Sequence, residues 1–265
     1  MIIGTFSFKL RAVNNSSLPV SHGRLLHAAL LDLVRQYDKD LSAQLHDSNV
    51  KPFSLCLINL YPKKSEAGKF NIEIGNSVVW KVNSLDTRLT RFLIDLQSGF
   101  IIRIGSTCFQ VDDISYYDNC IIDTEKIIEN AENLAAKASF SIRFVSPTSF
   151  RYYDIDYPFP RIDLIFGSLI DRWNNIDENI AFDGEALKAV ANQYIVPIKW
   201  EGESKRVNVS PKHGLTGFIG TYIFDLKALP MEYRKVFFCL LEFAKFSGVG
   251  RLTAQGLGQV KIEYL

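Results

Sequence analysis

Two successive periodicities decide the fold of this chain, and both lie in residues 6–37, FSFKLRAVNNSSLPVSHGRLLHAALLDLVRQY. Apolar and polar residues alternate from Phe6 to Ala12, which predicts a half-buried strand. Apolar residues then recur at helical spacing from Leu25 to Tyr37, and we expect Leu18-Pro19 to open this helix. The stretch therefore predicts a strand followed by an amphipathic helix.

Further patterns extend this beginning into a repeated unit. In the first half the predicted elements are a helical turn through Leu41 and Leu45, a strand over 53–61, a hairpin joining 70–74 to 78–82 across Gly75-Asn76, a helix from Asp86 to near Gly99, and strands over 100–104 and 108–111. In the second half they are a strand over 140–145, a helix opened by Pro160-Arg161, strands over 195–200, 206–209 and 218–224, a helix from Pro230 to about Phe246, and a strand over 259–264.

Both halves follow the order strand, helix, strands, helix, strand, which is the order of the ferredoxin-like βαββαβ unit. We therefore predict an α+β fold of two tandem ferredoxin-like, RRM-like domains, with boundaries at 1–130 and 138–265. Polar helical sequence near 125–138 would connect them. The alternative is a single α+β domain with the same order by coincidence. Because ferredoxin-like units bind metals, small ligands, RNA or proteins, this fold does not specify a function.

Composition narrows the classes of protein. The chain has 265 residues, of which 47% are hydrophobic and 22% charged. These values exclude a disordered chain and a collagen-like fibre. The net charge of +1 excludes a bulk polycation, so any binding of nucleic acid must depend on a local basic patch.

The sequence contains no signal for export, membrane insertion or metal binding. The first residues lack the basic and apolar segments of a signal peptide. The longest apolar run near the C-terminus, Val236–Leu241, is far shorter than the ~20 residues that a membrane span needs. The four cysteines, Cys56, Cys108, Cys120 and Cys239, form no Cys-x-x-Cys or Cys/His cluster. We expect a cytoplasmic protein without membrane association or a structural metal site.

Charge is distributed unevenly along the chain. Residues 154–203 contain four Lys/Arg and ten Asp/Glu, whereas residues 204–265 contain nine and four. This pattern predicts a basic face on one side of a neutral body. Pairing of these opposite charges across the fold is the alternative.

The glycine-rich segment 247–260, SGVGRLTAQGLGQV, is the most informative local feature. A dinucleotide-binding fingerprint follows a strand and opens a helix, whereas here a helix precedes the loop and a strand follows it. Two Gly-x-Gly pairs flank Arg251, and we expect exposed backbone N–H groups that let a phosphate backbone approach closely. The alternative is a helix C-cap at Gly248 followed by a turn.

The same segment resembles the C-terminal glycine-rich motif of the CRISPR-associated repeat-processing endoribonucleases, which belong to the repeat-associated mysterious protein superfamily. Other family-like stretches follow in the expected order over most of the chain: HGRLLHAALLDLV, LSAQLHDSNVKPFSLCLI, FVSPTSFR, PFPRIDLIFGSLIDRWN and GFIGTYIF. The chain departs from the family pattern at Leu257, where an aromatic residue is common, and in the low basic content of the loop.

This resemblance implies metal-independent cleavage of precursor CRISPR RNA within its repeats, without a cofactor. The implied chemistry is attack of a ribose 2′-OH on the adjacent phosphate, which leaves a 2′,3′-cyclic phosphate and a 5′-OH. Such a reaction needs a base, an acid and positive charge near the phosphate. The implied partner is CRISPR repeat RNA. Formation of a homodimer and association with subunits of a CRISPR effector complex stay open.

Four residues are candidates for the catalytic roles. His46 lies in the Leu-His-Asp segment that matches the family's catalytic loop, which implies a general base or acid; a helix C-terminal histidine is the alternative. Arg24 and His27 share a face of the first helix, where Arg24 would hold the phosphate and His27 would act as the complementary acid. Lys51 would neutralise the negative charge on the phosphate in the transition state. A polar surface role is the alternative for these three. One continuous helix would separate the two histidines by about 28 Å, so joint catalysis requires a turn at Asp38–Asp40.

A second set of residues is predicted to contact RNA: Gly248, Gly250, Arg251, Gly256, Gly258, Arg151, Lys205, Arg206 and Lys212. An ordinary surface position is the alternative for each charged member. Three tyrosines near Phe150 and Phe159 are candidates for base stacking, with core packing and turn anchoring as the alternative: Tyr152, Tyr153 and Tyr157. Tyr37 is expected to pack against the core.

Two other functions remain as alternatives. A non-catalytic RNA-binding scaffold subunit of a CRISPR effector complex would need the glycine loop and the basic patch but no histidine. A ferredoxin-like small-ligand domain would need neither.

Overall fold

The computed structural model describes residues 1–58, 68–116, 120–177, 179–210 and 213–265. The chain divides into two compact units. The N-terminal unit comprises residues 2–121 together with Ala254–Gly256, and the C-terminal unit comprises Met1 and the rest of the chain from residue 122. The middle of the glycine-rich segment therefore belongs to the N-terminal unit.

The N-terminal unit is built on an antiparallel sheet. Its strands are β1 Ile2–Ala12, β2 Ser16–Pro19, β3 Phe53–Ile58, β4 Lys69–Ile72, β5 Ser77–Ser84, β6 Ile101–Ile104 and β7 Thr107–Ser115, and its described helices are α1 Gly23–Tyr37, α2 Lys39–Asp47 and α3 Thr87–Asp95. The main sheet has the order β3-β5-β1-β7-β6, while β2 and β4 form a separate pair. Strand β1 is therefore central and pairs antiparallel with a strand on each side.

Burial in this unit follows the predicted periodicities. The alternating apolar residues of β1 are fully buried, and α1 buries a stripe along one face: Leu26, Ala29, Leu30, Leu33 and Val34. Helix α3 begins after the predicted cap Asp86, whose carboxylate accepts a hydrogen bond of 2.8 Å from the Leu89 N–H. The predicted strand over 53–61 is confirmed as far as Ile58, and residues 59–61 lie outside the described residues.

Three expectations for the first half are wrong. Leu18-Pro19 ends a strand, and the helix begins only at Gly23. The strands flanking Gly75-Asn76 do not pair with each other, because β4 pairs with β2 whereas β5 pairs with β1 and β3. Tyr37 is 62% exposed, since it is the last residue of α1 and contacts only the edge of the core through Phe92, at 5.7 Å between ring centroids.

The C-terminal unit has a second antiparallel sheet with helices. Its strands are β9 Ser139–Thr148, β10 Phe150–Tyr152, β11 Ile155–Tyr157, β12 Val196–Ser210, β13 His213–Asp225 and β14 Val260–Tyr264, and β8 Ile121–Asp123 lies at the division between the units. Its helices are α4 Thr124–Leu134, α5 Ile162–Ile176, α6 Gly184–Tyr194 and α7 Met231–Ser247. The sheet order is β12-β13-β9-β14, and β10 and β11 form a separate hairpin. The predicted α+β class is confirmed in both units.

The second half departs from expectation in its details. The strands predicted over 195–200 and 206–209 are one continuous strand, β12. The polar helical sequence near 125–138 forms α4, which belongs to the C-terminal unit and buries Ile127 and Ala131 on one face. Helix α6 and the β10–β11 hairpin are additions that the sequence patterns did not indicate.

Candidate active site

The chain reverses direction between α1 and α2, as joint action of the two predicted histidines requires. The reversal takes place at Asp38. Its N–H donates to the Val34 carbonyl at the end of α1, and its carboxylate accepts a 2.8 Å hydrogen bond from the Leu41 N–H at the start of α2. The Ser42 hydroxyl then donates to the Leu31 carbonyl at 3.0 Å. These contacts fold α2 back along α1.

The Arg88 side chain, on α3, forms hydrogen bonds with the N-cap residue of α2 and with a residue in the last turn of that helix. Its guanidinium donates to the Asp38 carboxylate at 3.0 Å and to the Gln44 side-chain oxygen at 2.9 Å. The Leu41 N–H and the Arg88 charge both lower the pKa of Asp38. No sequence signal distinguishes Arg88 from an ordinary exposed arginine, so sequence reasoning missed it.

The other three predicted catalytic residues, Arg24, His46 and Lys51, all act on the pKa of His27. Burial lowers the pKa of His27, and the charge of Lys51 lowers it further. Repulsion by His46 and by Arg24 acts in the same direction, whereas a hydrogen bond with the Ala254 backbone raises this pKa. Arg24 and His27 are three residues apart on α1, so the two side chains share a face of the helix.

The His27 imidazole itself is half-buried against Phe53, with 5.3 Å between ring centroids. Its Nδ1 is buried and has no hydrogen-bond partner among the described residues. Because most buried polar atoms are satisfied, this nitrogen has hydrogen-bonding capacity that the described part of the fold does not use.

His46 and Lys51 are positioned by the end of α2. His46 lies in the last turn of the helix with its side chain exposed to solvent. The Lys51 ammonium donates to the backbone carbonyl of His46 and, at 2.8 Å, to that of Ser48. The lysine therefore supplies the cation that the negative end of a helix favours, and it fixes the backbone that carries His46.

Residues 254–256 of the glycine-rich segment pack into the N-terminal unit, which also carries the candidate catalytic residues. Ala254 is part of the hydrophobic core of the N-terminal unit, and Gly256 lies against the Leu55 carbonyl, with 3.4 Å between that oxygen and a Cβ placed on the glycine. A Cβ placed on Gly23 would lie 1.8 Å from the carbonyl oxygen of Gln255. Sequence reasoning missed Gly23, because a glycine at the first residue of a helix does not by itself indicate a close backbone contact; Gly184 begins α6 without one.

The outer parts of the glycine-rich loop are braced from within the C-terminal unit. The buried Arg172 guanidinium donates to the carbonyls of Ser247, Gly248 and Gly250 at 2.6, 3.3 and 3.0 Å. A Cβ on Gly258 would lie 2.0 Å from the Val249 carbonyl oxygen. These glycines therefore permit close backbone packing, and Gly248 also caps α7 with a φ of 67°, as the alternative interpretation held.

The expectation of free N–H groups in this loop is wrong for at least seven of its residues. Their N–H groups already donate to protein acceptors: Gly248, Val249, Gly250, Arg251, Leu257, Gly258 and Gln259. The reason is that the loop crosses β9 and α5 closely enough for its backbone to be satisfied there.

Models of two protein families match this chain. The model described as the CRISPR Cas6 N-terminal domain matches residues 6–115, and the model described as CRISPR-associated endoribonuclease Cas6 matches residues 142–260. The chain belongs to the Cas6 family. The resemblance found in the sequence motifs is therefore confirmed.

Individual Cas6 proteins show the same likeness. The chain is 24% identical over 235 residues to the CRISPR-associated endoribonuclease Cas6 of Streptococcus thermophilus, which covers 87% of this chain and 88% of that protein. A Thermus thermophilus Cas6 in a product complex has a TM-score of 0.77 at 20% identity, covering 98% of this chain and 100% of its own. A Cas6-related protein from Pyrococcus furiosus has a TM-score of 0.64 at 14% identity, covering 98% of both chains. These structures support the fold.

Two of the three arginines predicted to contact RNA in this Cas6 chain, Arg151 and Arg251, are engaged with carboxylates. Arg251 pairs with Asp156, which also lies 3.6 Å from the imidazole of His213. Burial and then repulsion by Arg151 lower the pKa of Arg251. Arg151 in turn lies 3.3 Å from Asp154. The RNA contact predicted for Arg251 stays a prediction, and in this structure its guanidinium is paired with Asp156.

Two further residues predicted to contact RNA lie on the long strand β12. Lys205 and Arg206 are exposed on β12 and form no ion pair with a described residue. Lys212 lies outside the described residues. Within the described ranges, no group of three or more His, Cys, Asp or Glu side chains is arranged to hold a metal ion. Among the helices that the structure describes, none has both the length and the apolar composition that crossing a membrane requires.

Proposed function

We propose that this Cas6 chain cleaves precursor CRISPR RNA within its repeats through acid–base chemistry of its own side chains. The observation that carries the proposal is the buried His27 Nδ1, which has no hydrogen-bond partner among the described residues and lies one helical turn from Arg24 on α1. Helix α2, which folds back on α1, carries His46 in its last turn, and Lys51 is bonded to the His46 carbonyl. Two imidazoles and two permanent cations are the groups that a ribose 2′-OH attack requires.

In the proposed reaction the 2′-oxygen forms a bond to the adjacent phosphorus while the bond from phosphorus to the 5′-oxygen breaks. A base removes the 2′-OH proton, and an acid delivers a proton to the departing 5′-oxygen. Its lowered pKa favours the neutral form of His27, which is the form a base needs. We therefore reverse the sequence-based role of His27 as the acid and assign that role to the exposed His46.

The two cations act on the phosphate. Arg24 is exposed on the first turn of α1 and forms no ion pair with a described residue, so its guanidinium is available to bind two phosphate oxygens. Lys51 is tied to the C-terminus of α2 and would place its charge near the same group. Lys205 and Arg206 on β12 are proposed to bind the RNA backbone through charge rather than sequence.

Cleavage of repeat RNA by the pure protein in excess EDTA tests the proposal. The expected products end in a 2′,3′-cyclic phosphate and begin with a 5′-OH, and a single 2′-deoxynucleotide at the cut should abolish cleavage, because the attacking oxygen is then absent. Tight binding without cutting would contradict the nuclease and support the scaffold alternative. Cutting of the 2′-deoxy substrate would contradict the 2′-OH mechanism.

A further inference from the structure

The hairpin of β10 and β11, with Phe159 after it, carries a continuous chain of aromatic rings that we call the aromatic hairpin. The ring centroids of Tyr153 and Tyr152 are 4.7 Å apart, those of Tyr152 and Tyr157 are 5.5 Å apart, and those of Tyr157 and Phe159 are 5.7 Å apart. The two outer rings are exposed, with 83% of Tyr153 and 57% of Phe159 open to solvent. The chain of rings thus begins and ends at the surface.

The two-residue turn between Tyr152 and Ile155 accounts for a positive φ at its tip, but not for a tyrosine at that position. Tyr153 has a φ of 49°, in the left-handed region that glycine and asparagine adopt more readily than tyrosine. A side chain that is mostly exposed recovers little hydrophobic free energy in return. A residue held in an unfavourable backbone conformation while exposing a large ring is a candidate for ligand binding.

Cations accompany the rings. The Arg161 guanidinium carbon lies 4.7 Å from the centre of the Tyr152 ring. The carboxylates near the hairpin are each paired with an arginine: Asp154 with Arg151, Asp163 with Arg161, and Asp156 with Arg251. No unpaired carboxylate of this group is left to repel a phosphate. Rings combined with guanidinium groups are the means by which proteins bind unpaired nucleotides.

We propose that the aromatic hairpin binds unpaired RNA bases by stacking, with Tyr153 and Phe159 as the two outer platforms. The choice of RNA as the ligand rests on the proposed function, and the inference adds a contact for single-stranded nucleotides separate from the catalytic residues. Every base has a face that can stack on a ring, so this contact contributes affinity without selecting sequence.

Binding of repeat RNAs in which one unpaired nucleotide at a time is abasic tests this proposal. The substitution removes the base and keeps the phosphate, and a 2′-deoxynucleotide at the mapped cut prevents cleavage. The protein variants are Tyr153→Asn, which removes the ring while suiting the positive φ, Tyr153→Phe, which keeps the ring, and Phe159→Ala. Tyr37→Ala is the matched control, because Tyr37 is a tyrosine of similar exposure, 62%, on α1.

We expect Tyr153→Asn to weaken binding on the order of 10-fold, equivalent to about 1.4 kcal/mol, and Tyr153→Phe and Tyr37→Ala to leave it unchanged. One abasic position should weaken wild-type binding by a similar factor and have no further effect in Tyr153→Asn, as a double-mutant cycle requires of two groups in contact. The proposal would be overturned if Tyr153→Asn and Phe159→Ala bound RNA as tightly as the wild type. It would also be overturned if the effects of the protein substitution and of the abasic nucleotide on affinity simply added at every position.

The same RNAs separate this proposal from the proposed function. Cleavage of the unmodified repeat without any coupling at the hairpin would refute the stacking site alone. Coupling at the hairpin in a protein that never cuts would refute the nuclease alone.

Discussion

The first residue of α1, Gly23, lies directly against the backbone of Gln255. A Cβ on Gly23 would be 1.8 Å from the Gln255 carbonyl oxygen and 2.6 Å from its carbonyl carbon. Only glycine therefore allows the start of the helix that carries Arg24 and His27 to meet residues 254–256. The contact joins two distant parts of the sequence within the N-terminal unit.

Gly23→Ala should therefore separate α1 from residues 254–256. We expect a loss of about 1–3 kcal/mol in the free energy of unfolding, as for other overpacked sites, together with slower cleavage, because Ala254 also contacts His27. Urea unfolding and single-turnover cleavage measure the two effects. Gly184→Ala is the matched control, since Gly184 also begins a helix but a Cβ there meets Ile170 only at 3.5 Å. Equal stability of the two variants would contradict the contact.

The pKa of His27 should lie below that of an ordinary histidine. Burial and repulsion by Lys51 disfavour the imidazolium in the folded state. The unfolded chain then binds a proton first as the pH falls, so the stability contributed by neutral His27 is present above the ordinary histidine pKa and is lost as the pH falls below it. NMR titration of the imidazole measures the pKa directly.

Lys51→Gln should raise the pKa of His27, because it removes the larger of the electrostatic repulsions. Arg35→Gln is the control: it removes a positive charge from the opposite end of α1, where Arg35 pairs with Asp32. A His27 pKa that responds equally to both substitutions would show that Lys51 is not near the ring.

Arg88→Ala should slow cleavage without weakening RNA binding. Arg88 bonds Asp38 and Gln44 at the two ends of α2, so its loss would let the helix that carries His46 shift. Small misplacements of a catalytic group reduce rates strongly, and we expect an effect on the order of 10-fold. Single-turnover rates and binding constants separate the two effects. Arg91→Ala, an exposed arginine on the same helix, should change neither; a matching loss in Arg91→Ala would point to net charge instead.

Arg172→Met should destabilise the C-terminal unit. The buried guanidinium donates to the carbonyls of Ser247, Gly248 and Gly250, and burial lowers the pKa of Arg172 to about 10, so it remains charged at neutral pH. Its removal leaves buried carbonyls unpaired, and we expect a loss of about 1–3 kcal/mol in the free energy of unfolding. Arg143→Met, an exposed arginine on β9, is the control. Equal midpoints for the two variants in urea would contradict this role.

Local patterns predicted the elements of this fold better than their pairing. The alternation from Phe6 to Ala12, the cap at Asp86 and the helix after Pro230 are encoded by neighbouring residues and appear where expected. The pairing of β4 with β2 was not predictable, because it depends on contacts between residues far apart in sequence, and the turn at Gly75-Asn76 suits a hairpin equally well.

The candidate site likewise contains some features that neighbouring residues predict and others that depend on contacts between distant residues. The turn at Asp38 that folds α2 back along α1 follows from aspartate's preference for helix caps. The division of the glycine-rich loop does not follow from its glycines: Gly248 and Gly258 pack against their own unit, whereas Gly256 lies with the N-terminal unit. Arg172 and Arg88 have no sequence signal, because their roles depend on acceptors brought together by folding.

The central claim is that the His46 imidazole transfers a proton during attack of the 2′-OH. Its most direct test is the single-turnover cleavage rate of His46→Ala on repeat RNA in EDTA, with protein in excess of the binding constant. His213→Ala, which removes another exposed histidine, is the control. We predict that His46→Ala lowers the rate on the order of 10²–10⁴-fold with RNA affinity unchanged, while His213→Ala cleaves at the wild-type rate. Cleavage by His46→Ala at the wild-type rate would contradict the claim.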